Sequence, residues 1–400
     1  MAETIQPLAA TTGDVRRDER RALAVAGGAH VLHDGYTDLI YVMLPIWQPE
    51  FGLSYAAVGV LRALYAGTMA TFQIPATFLA ERLGATSVLA AGTALAGVGY
   101  MLAGISPDLV VLMIALFLGG LGSSTQHPLA SALVAHAFAG PRSLKALGTY
   151  NFTGDLGKMT VPLTASLLLL VLPWRPTIAI IGGAGIAVAL CILMLMPRVR
   201  PAAATEHDAR AVEDHQPRQT YGFPLLFSIG LIDSATRMAF LTYLPFLLTQ
   251  KGASIPTVGI ALTLVFAGGA AGKLACAFIG ARIGVIATVW LTEALTTALI
   301  LALLPLRLEL GLVLLPLLGI ALNGTSSVLY GSVPVLVAPE RRARAFGIFY
   351  TGVIGSGAAA PVLFGLVGDS LGVATTLAVI GLVPLLTLPL ALVLRPSFAR

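Results

Sequence analysis

Charge is scarce in this chain of 400 residues: only 11% are Asp, Glu, Lys or Arg, where a soluble chain carries about 25%. With 57% hydrophobic residues beside that deficit, a soluble globular domain is excluded. Cysteine is scarcer still. Cys191 and Cys276 both fall in apolar runs, so neither a disulfide framework nor a thiolate metal site is expected. A glycine-rich nucleotide loop of the Walker type is absent, which excludes ATP as the energy source. The His–Asp neighbours have no Ser or Cys at a nucleophile elbow beside them, which removes covalent hydrolysis. No enzymatic activity and no cofactor are therefore expected. The net charge of +5 does not form a patch, because the basic residues sit at the ends of apolar runs; no nucleic-acid partner follows from it. The first residues, MAETIQPLAATTGDVRRDERR, are polar, mixed in charge and without a cleavage-site pattern, so they read as a tail rather than a signal peptide.

What the chain has is a succession of apolar runs, each long enough to cross a ~30 Å hydrocarbon core. Hydropathy places them near 22–46, 55–80, 86–105, 109–138, 144–170 and 175–197, and again near 221–248, 255–280, 285–305, 310–337, 345–367 and 373–395. Its 43 glycines and 24 prolines are tolerated in packed membrane helices. The reading is an all-α membrane protein with twelve transmembrane helices in two six-helix bundles. A tail spans 1–21, the first bundle 22–197, a polar linker 198–220 and the second bundle 221–400.

Lys and Arg set the orientation. Tails and the loops on their side hold Arg16, Arg17, Arg20, Arg21, Arg82, Arg142, Lys145, Arg198, Arg200, Arg210, Arg218, Arg282, Arg341, Arg342, Arg344, Arg395 and Arg400, whereas the opposite face holds only Arg175, Lys251 and Arg307. That bias predicts both termini in the cytoplasm. The halves are also related in sequence. VGVLRALYAG from Val58 matches VGIALTLVFAG from Val258, and ERLG from Glu81 matches ARIG from Ala281, at one common offset. RSLKALGTY from Arg142 matches RRARAFGIF from Arg341, and Pro162 matches Pro361, at an offset one residue shorter. A parallel repeat of six helices places a ligand site between the halves, near mid-membrane.

With these features in view, the whole chain resembles the major facilitator superfamily. TFLAERLG is similar to the superfamily's loop between helices two and three, with Glu81 in place of the usual aspartate, Arg82 and Gly84 kept, Thr77 in place of a glycine, and Ala85 and Thr86 where a basic pair belongs. The resemblance gives Glu81 and Arg82 a gating role, in part. Closer likeness is to the fosmidomycin-resistance branch. It rests on HVLHDGYTDLIYVMLPIWQPEFGLSYAAVG in the first helix, GGLGSSTQHPLASALVA in the fourth and GTYNFTGDLGKMTVP in the fifth. Asp155 stands where the branch has a glycine, and Leu129 where it has an acidic residue. The resemblance implies the major facilitator fold and a monomeric, multi-pass carrier of the inner cell membrane that exports small compounds.

Ionisable groups inside spans cost roughly 2.5–3.5 kcal/mol each at mid-helix and mark function by default. Here they are Asp34, Asp38, Arg62, Asp155, Lys158, Asp233, Arg237, Lys273 and Glu293, with His30, His33 and His127 beside them. His30, His33, Asp34 and Asp38 share one face of the first helix, and a stripe that polar must face a cavity. Asp34, among histidines, is the leading candidate for proton exchange; His33, Asp38 and Asp155 are the other candidates. Asp38 is expected to pair with Arg62 or with Lys158. Asp155 and Lys158, three apart, suit an intrahelical pair, although the equivalent Ile354 and Gly357 carry no charge. Asp233 and Arg237 repeat the spacing of Asp34 and Asp38, with a base in place of the second acid. Arg237 is then the candidate for an anionic group, because guanidinium holds carboxylate or phosphonate bidentately. Arg62 and Lys273 extend a basic lining, although Lys273 is also placed to snorkel outward, and Glu293 needs no more than a hydrogen bond. His127 precedes Pro128 and marks a hinge that lines the cavity. Tyr36 and Tyr150 are candidate cavity walls. A metal held by His30, His33, Asp34 and Asp38 is chemically possible, but one helix offers no second ligand cluster.

The expectation is a proton-coupled secondary transporter that exports small polar or amphipathic anions by alternating access, with protons and the bilayer as its other partners. Import or exchange of an organic anion stays open, since gradients set direction. A non-transporting receptor is the remaining alternative, disfavoured because a scaffold needs no paired cavity.

Overall fold

The fold, taken from a computed structural model, is described here for residues 12–138, 141–197, 221–338 and 341–398. It contains helices and turns, with no strand among the described residues. In chain order they are α1 (Thr12–Glu50), α2 (Tyr55–Leu83), α3 (Ala85–Gly104), α4 (Leu109–Ser123), α5 (Gln126–Ala137), α6 (Pro141–Leu168) and α7 (Trp174–Leu195). The second half holds α8 (Gly222–Gln250), α9 (Ile255–Ile283), α10 (Val285–Leu303), α11 (Leu308–Leu336), α12 (Arg342–Leu382) and α13 (Thr387–Leu394). The predicted linker at 198–220 lies outside the described residues.

Eight stretches are long and apolar enough to cross a membrane on length and composition alone. The last, Arg344–Phe398, turns back at Gly372 (φ 79°) and makes two spans. Helices α1, α2 and α6 fall short of that criterion because they carry much of the buried charge, and they complete the expected twelve. The fourth span is α4 and α5 in series, broken at Ser124 and Thr125. Pro128 has no N–H to donate to the Ser124 carbonyl, and the Ser124 hydroxyl instead donates to Leu121 O at 2.7 Å.

One boundary differs from the hydropathy reading. Residues 12–21 of the expected tail continue into the first span: α1 is a single helix of 39 residues, about 58 Å long at 1.5 Å per residue. Its extra turns are fastened to the first bundle. Buried Glu19 accepts from Arg142 Nη1 at 2.9 Å, and Arg21 Nη2 donates to Met194 O at 3.2 Å.

The repeat is visible in local geometry. Ser54 caps α2 through Ala57 N, and Ser254 caps α9 through Thr257 N. Gly84 and Gly284, each linking two helices, have φ of 86° and 84°, a region that suits glycine alone. Within the halves α1 packs along α6 and α2 along α4, as α8 packs along α12 and α9 along α11. Between the halves α2 runs against α12, and α6 against α9.

The halves close at the face that carries the α1–α2 loop. Asp369, near the end of α12's first span, accepts from Tyr55 N at 2.5 Å and Ala56 N at 3.1 Å. Those donors are orphan N–H groups of the α2 N-terminus, where a negative charge is favoured. Tyr243 donates to the Pro361 carbonyl and lies 3.2 Å from Tyr55 O. Among the described residues, no cross-half hydrogen bond or ion pair lies nearer the tail face than Lys273–Asp155. Toward the tail face Asn151 and Phe152 of α6, Leu274 of α9 and Thr351 of α12 are exposed.

Asp369→Ala is expected to shift the equilibrium toward an open loop face by about 1–2 kcal/mol, roughly five- to thirty-fold. Spin-label distances across that face measure it, and an unchanged distance distribution would remove Asp369 from this role.

Candidate functional site

The site grows from close packing of α1 on α6. A Cβ on Gly157 would meet the backbone of Val31, and one on Gly154 would meet the side chains of Asp34 and His30. The glycines spaced along GTYNFTGDLGKMTVP are thus the condition for the polar face of α1 to lie directly against α6. Three imidazoles then surround one carboxylate. Asp34 Oδ1 lies 3.4 Å from His30 Nε2, 3.8 Å from His33 Nε2 and 3.9 Å from His127 Nε2. Its other oxygen, Oδ2, faces Lys158 Nζ of α6 at 3.5 Å. His33 Nε2 and His127 Nε2 are 3.3 Å apart, so α1 and α5 meet through this cluster. Tyr150 of α6 stacks on His30 at 4.2 Å between ring centroids, and its carbonyl faces His30 Nδ1 at 2.9 Å.

The charges do not pair as spacing predicts. Lys158 reaches across to Asp34, while Asp155 pairs with Lys273 of α9 at 2.6 Å. The expected Asp155–Lys158 pair within one helix is not made, because side chains three apart diverge enough for each to find a partner on another helix. Lys273 does not snorkel outward; it forms an ion pair between the halves. Asp38 is buried and has no ion pair among the described residues, although Lys158, Arg62 and Lys273 lie within Coulombic range. Arg62 is held by Tyr41 instead. Its Nη2 donates to the hydroxyl at 3.1 Å, and its guanidinium lies 5.0 Å from the ring centre. Its Nε and Nη1 are buried and find no partner.

In the second half Arg237 Nη2 is 4.0 Å from Asp233 Oδ2, the outer limit of an ion pair, and its buried Nε has no partner. Asp233 and Glu293 of α10 are both buried and close enough to influence each other electrostatically, and Thr325 of α11 donates its hydroxyl to Thr292 at 2.7 Å beside them. Glu293 therefore has a second carboxyl group for a neighbour, more than the lone hydrogen bond expected of it.

Other candidates are displaced. Tyr36 lines only a small cavity inside the first bundle, beside His33 and Gln126; it is 1% exposed and donates to Ile181 O at 2.7 Å. Tyr150 is fully buried behind His30. Glu81 and Arg82 are exposed in the last turn of α2, far along that helix from Arg62, and the structure does not bring them to the polar cluster. His127 does line the cleft, with 44% of its side chain accessible. Tyr41, which holds Arg62, is the member of the polar cluster that the sequence reading did not name. It falls three residues after Asp38 and seven after Asp34, on the same helical face, and that spacing was the available signal. Apart from this cluster, an apolar chamber of about 450 Å³ lies between α2, α3 and α4, lined by Phe72, Leu79, Leu83, Val88, Leu95 and Leu121 among others.

A family pattern and solved structures align with nearly the whole chain, and curated relatives with about half of it. The pattern of the Major Facilitator Superfamily matches residues 27–224 and 226–399. The multidrug resistance protein MdtL of Escherichia coli (strain UMN026) is 25% identical over 178 residues, 44% of this chain and 46% of that protein. MdtL of Klebsiella pneumoniae (strain 342) is 24% identical over 213 residues, 53% and 54% of the two chains. The chain thus spans about half the length of the curated relatives it matches. Among solved structures, a bacterial homologue of the human lysosomal transporter Spinster, inward-facing and unoccupied, superposes with a TM-score of 0.81 at 13% identity, covering 95% of this chain and 98% of that one. The nucleoside transporter NupG superposes at 0.73 and 15% identity, covering 96% and 99%. At these identities the superpositions show the fold.

A double-mutant cycle separates the two pairings of Lys158. Thermal unfolding of Lys158→Ala and Asp34→Ala, singly and together, is expected to give a coupling of about 1–2 kcal/mol, and the Lys158–Asp155 cycle a coupling near zero. Equal couplings would restore the intrahelical pair.

Proposed function

Because the chain belongs to the Major Facilitator Superfamily and is therefore a membrane-embedded secondary transporter rather than an enzyme, we propose that it carries small polar or amphipathic anions as an exporter, by proton-coupled alternating access. The observation that carries the reading is the pair of guanidinium groups with unused buried donors, Arg62 and Arg237. A buried cationic group without its full set of partners is expensive, and an incoming carboxylate or phosphonate would supply them. Lys158 and Lys273, with 31% and 38% of their side chains accessible, stand where such an anion enters.

The chemistry follows from exchange of partners. An anion that binds Lys158 and Arg237 replaces an internal carboxylate, and the released Asp34 or Asp155 can take up a proton. Departure of the anion restores the ion pair and expels the proton. Lys273–Asp155 joins the halves, so breaking it also loosens the halves, which supports a link between binding and rocking about the site. Both termini are assigned to the cytoplasm from the placement of Lys and Arg, within an inner cell membrane. With the loop face closed, the conformation described is then open to the cytoplasm, the side from which an exporter loads. The drug-resistance name of the MdtL relatives and the motifs shared with the fosmidomycin-resistance branch support efflux, and the apolar chamber beside α2 supports amphipathic cargo.

Transport in proteoliposomes with an imposed pH gradient, across a panel of organic anions, tests the reading. Asp34→Asn is expected to abolish gradient-driven transport and leave anion exchange measurable; transport equal to the parent's would remove Asp34 from coupling. Arg237→Lys keeps the charge but loses the planar fork, and should weaken binding of a carboxylate or phosphonate about tenfold without unfolding the protein. Normal transport by both Arg237→Gln and Lys158→Gln, or a cationic ligand, would overturn the anion site.

A further inference from the structure

We infer that His30, His33 and His127, with Asp34, form a binding site for one divalent transition-metal ion of the zinc class. The inference needs four donor atoms and stands apart from the anion reading.

Sequence alone offered ligands from a single helix. The structure removes Asp38 from that set and adds His127 from α5, so the donors come from two elements. His30, Asp34 and His127 present ligand atoms that all lie within 4.8 Å of one another. His33 Nε2 joins them at 3.3 Å from His127 Nε2 and 3.8 Å from Asp34 Oδ1. An ion bound tetrahedrally at 2.0–2.1 Å separates its ligand atoms by about 3.4 Å. The His33–His127 and His30–Asp34 edges, at 3.3 and 3.4 Å, already match. The Asp34 edges to His33 and His127, at 3.8 and 3.9 Å, need a contraction of about half an ångström, and the widest spacing among His30, Asp34 and His127, up to 4.8 Å, needs rotation of an imidazole to close by about 1.4 Å. Three imidazoles and one carboxylate are the donor set that zinc, cobalt and nickel favour.

Hydrogen bonding sets the donors in the required form. A carbonyl only accepts, so the contact of His30 Nδ1 with Tyr150 O at 2.9 Å places the proton on Nδ1 and leaves Nε2 as a lone pair. That Nε2 is buried, lacks a hydrogen-bond partner and faces a carboxylate oxygen at 3.4 Å. Two acceptors at that distance require a positive charge between or beside them. A ligating histidine whose second nitrogen donates to a backbone carbonyl is the usual support of a metal ligand. Stacking of Tyr150 on the His30 ring fixes its plane. Lys158 on Asp34 Oδ2 leaves Oδ1 free for the ion. Entry is provided by His127, whose side chain is 44% accessible on the cleft side.

All four ligands belong to the first half, so the ion would not bridge the halves. It would occupy the imidazoles and the carboxylate that proton exchange uses, and would act as a competitor of protons there. A second explanation of the orphan Nε2 is an imidazolium ion at His30, which the experiment separates from the metal.

The test uses the full-length protein, free of any affinity tag, in detergent after treatment with a chelator. Cobalt(II) is titrated and its visible ligand-field bands recorded; zinc(II) is then added as competitor, with calorimetry for stoichiometry. One cobalt per chain, with the intense bands of a low-coordinate imidazole site that zinc abolishes, is expected. His30→Ala and His127→Ala should each weaken binding at least about tenfold, while His136→Ala, on the exposed end of α5, should leave it unchanged. Gel filtration and helical circular dichroism confirm that the variants are folded. A weak spectrum typical of a hydrated ion, binding that survives in both cluster variants, or no binding at all would overturn the proposal and leave the imidazolium as the explanation.

Discussion

A carboxylate held inside a bilayer has no water to solvate it, and the arrangement around Asp34 follows from meeting that demand. One oxygen faces an ammonium group at 3.5 Å and the other faces three imidazoles. Removing solvent costs several kcal/mol per ion even after relaxation, so each of these neighbours is a requirement and not an ornament. Their convergence needs α1, α5 and α6 at fixed separation. That in turn needs glycine at 154 and 157, where any larger residue would push α6 off α1. The break between α4 and α5, which Pro128 creates, brings His127 to the same carboxylate. Packing, helix geometry and electrostatics therefore describe one constraint at different scales.

The second half answers the same demand differently. Asp233 stays 4.0 Å from Arg237, which leaves guanidinium donors unused there as well as at Arg62. The asymmetry is functional in form: acids and imidazoles concentrate in the first half, and unsatisfied cationic donors lie on both sides of the interface. A structure built for rigidity alone would fill those donors with carboxylates or replace the groups by apolar side chains of similar volume.

Much of this was legible in the sequence. The twelve spans, the parallel repeat and the buried ionisable residues are composition and periodicity, and those survive any rearrangement of side chains. Common offsets such as Gly84 and Gly284 carry through to matching backbone angles. Partner choice was not legible. Spacing placed Lys158 beside Asp155, but side chains of that length reach whichever opposite charge lies nearest in space, and Asp34 and Lys273 sit on other helices. Tyr36 read as a wall from its residue type, which does not say which neighbour covers the ring, and α7 does. Nothing in the polar tail's composition announced a helix from Thr12, because its docking rests on Glu19 meeting Arg142, more than a hundred residues away.

That continuous α1 has a mechanical meaning. An uninterrupted helix of 39 residues, pinned to its bundle near one end by Glu19 and in the middle by Asp34, cannot tilt in the bilayer without sweeping its outer end through the aqueous phase. For a fulcrum near mid-membrane, a swing of ten degrees moves that end by about 5 Å, given the helix's length at 1.5 Å per residue. The first half therefore carries a pointer on its own surface: the position of residues 12–21 in water indicates, at a magnified scale, which way the buried carboxylate faces.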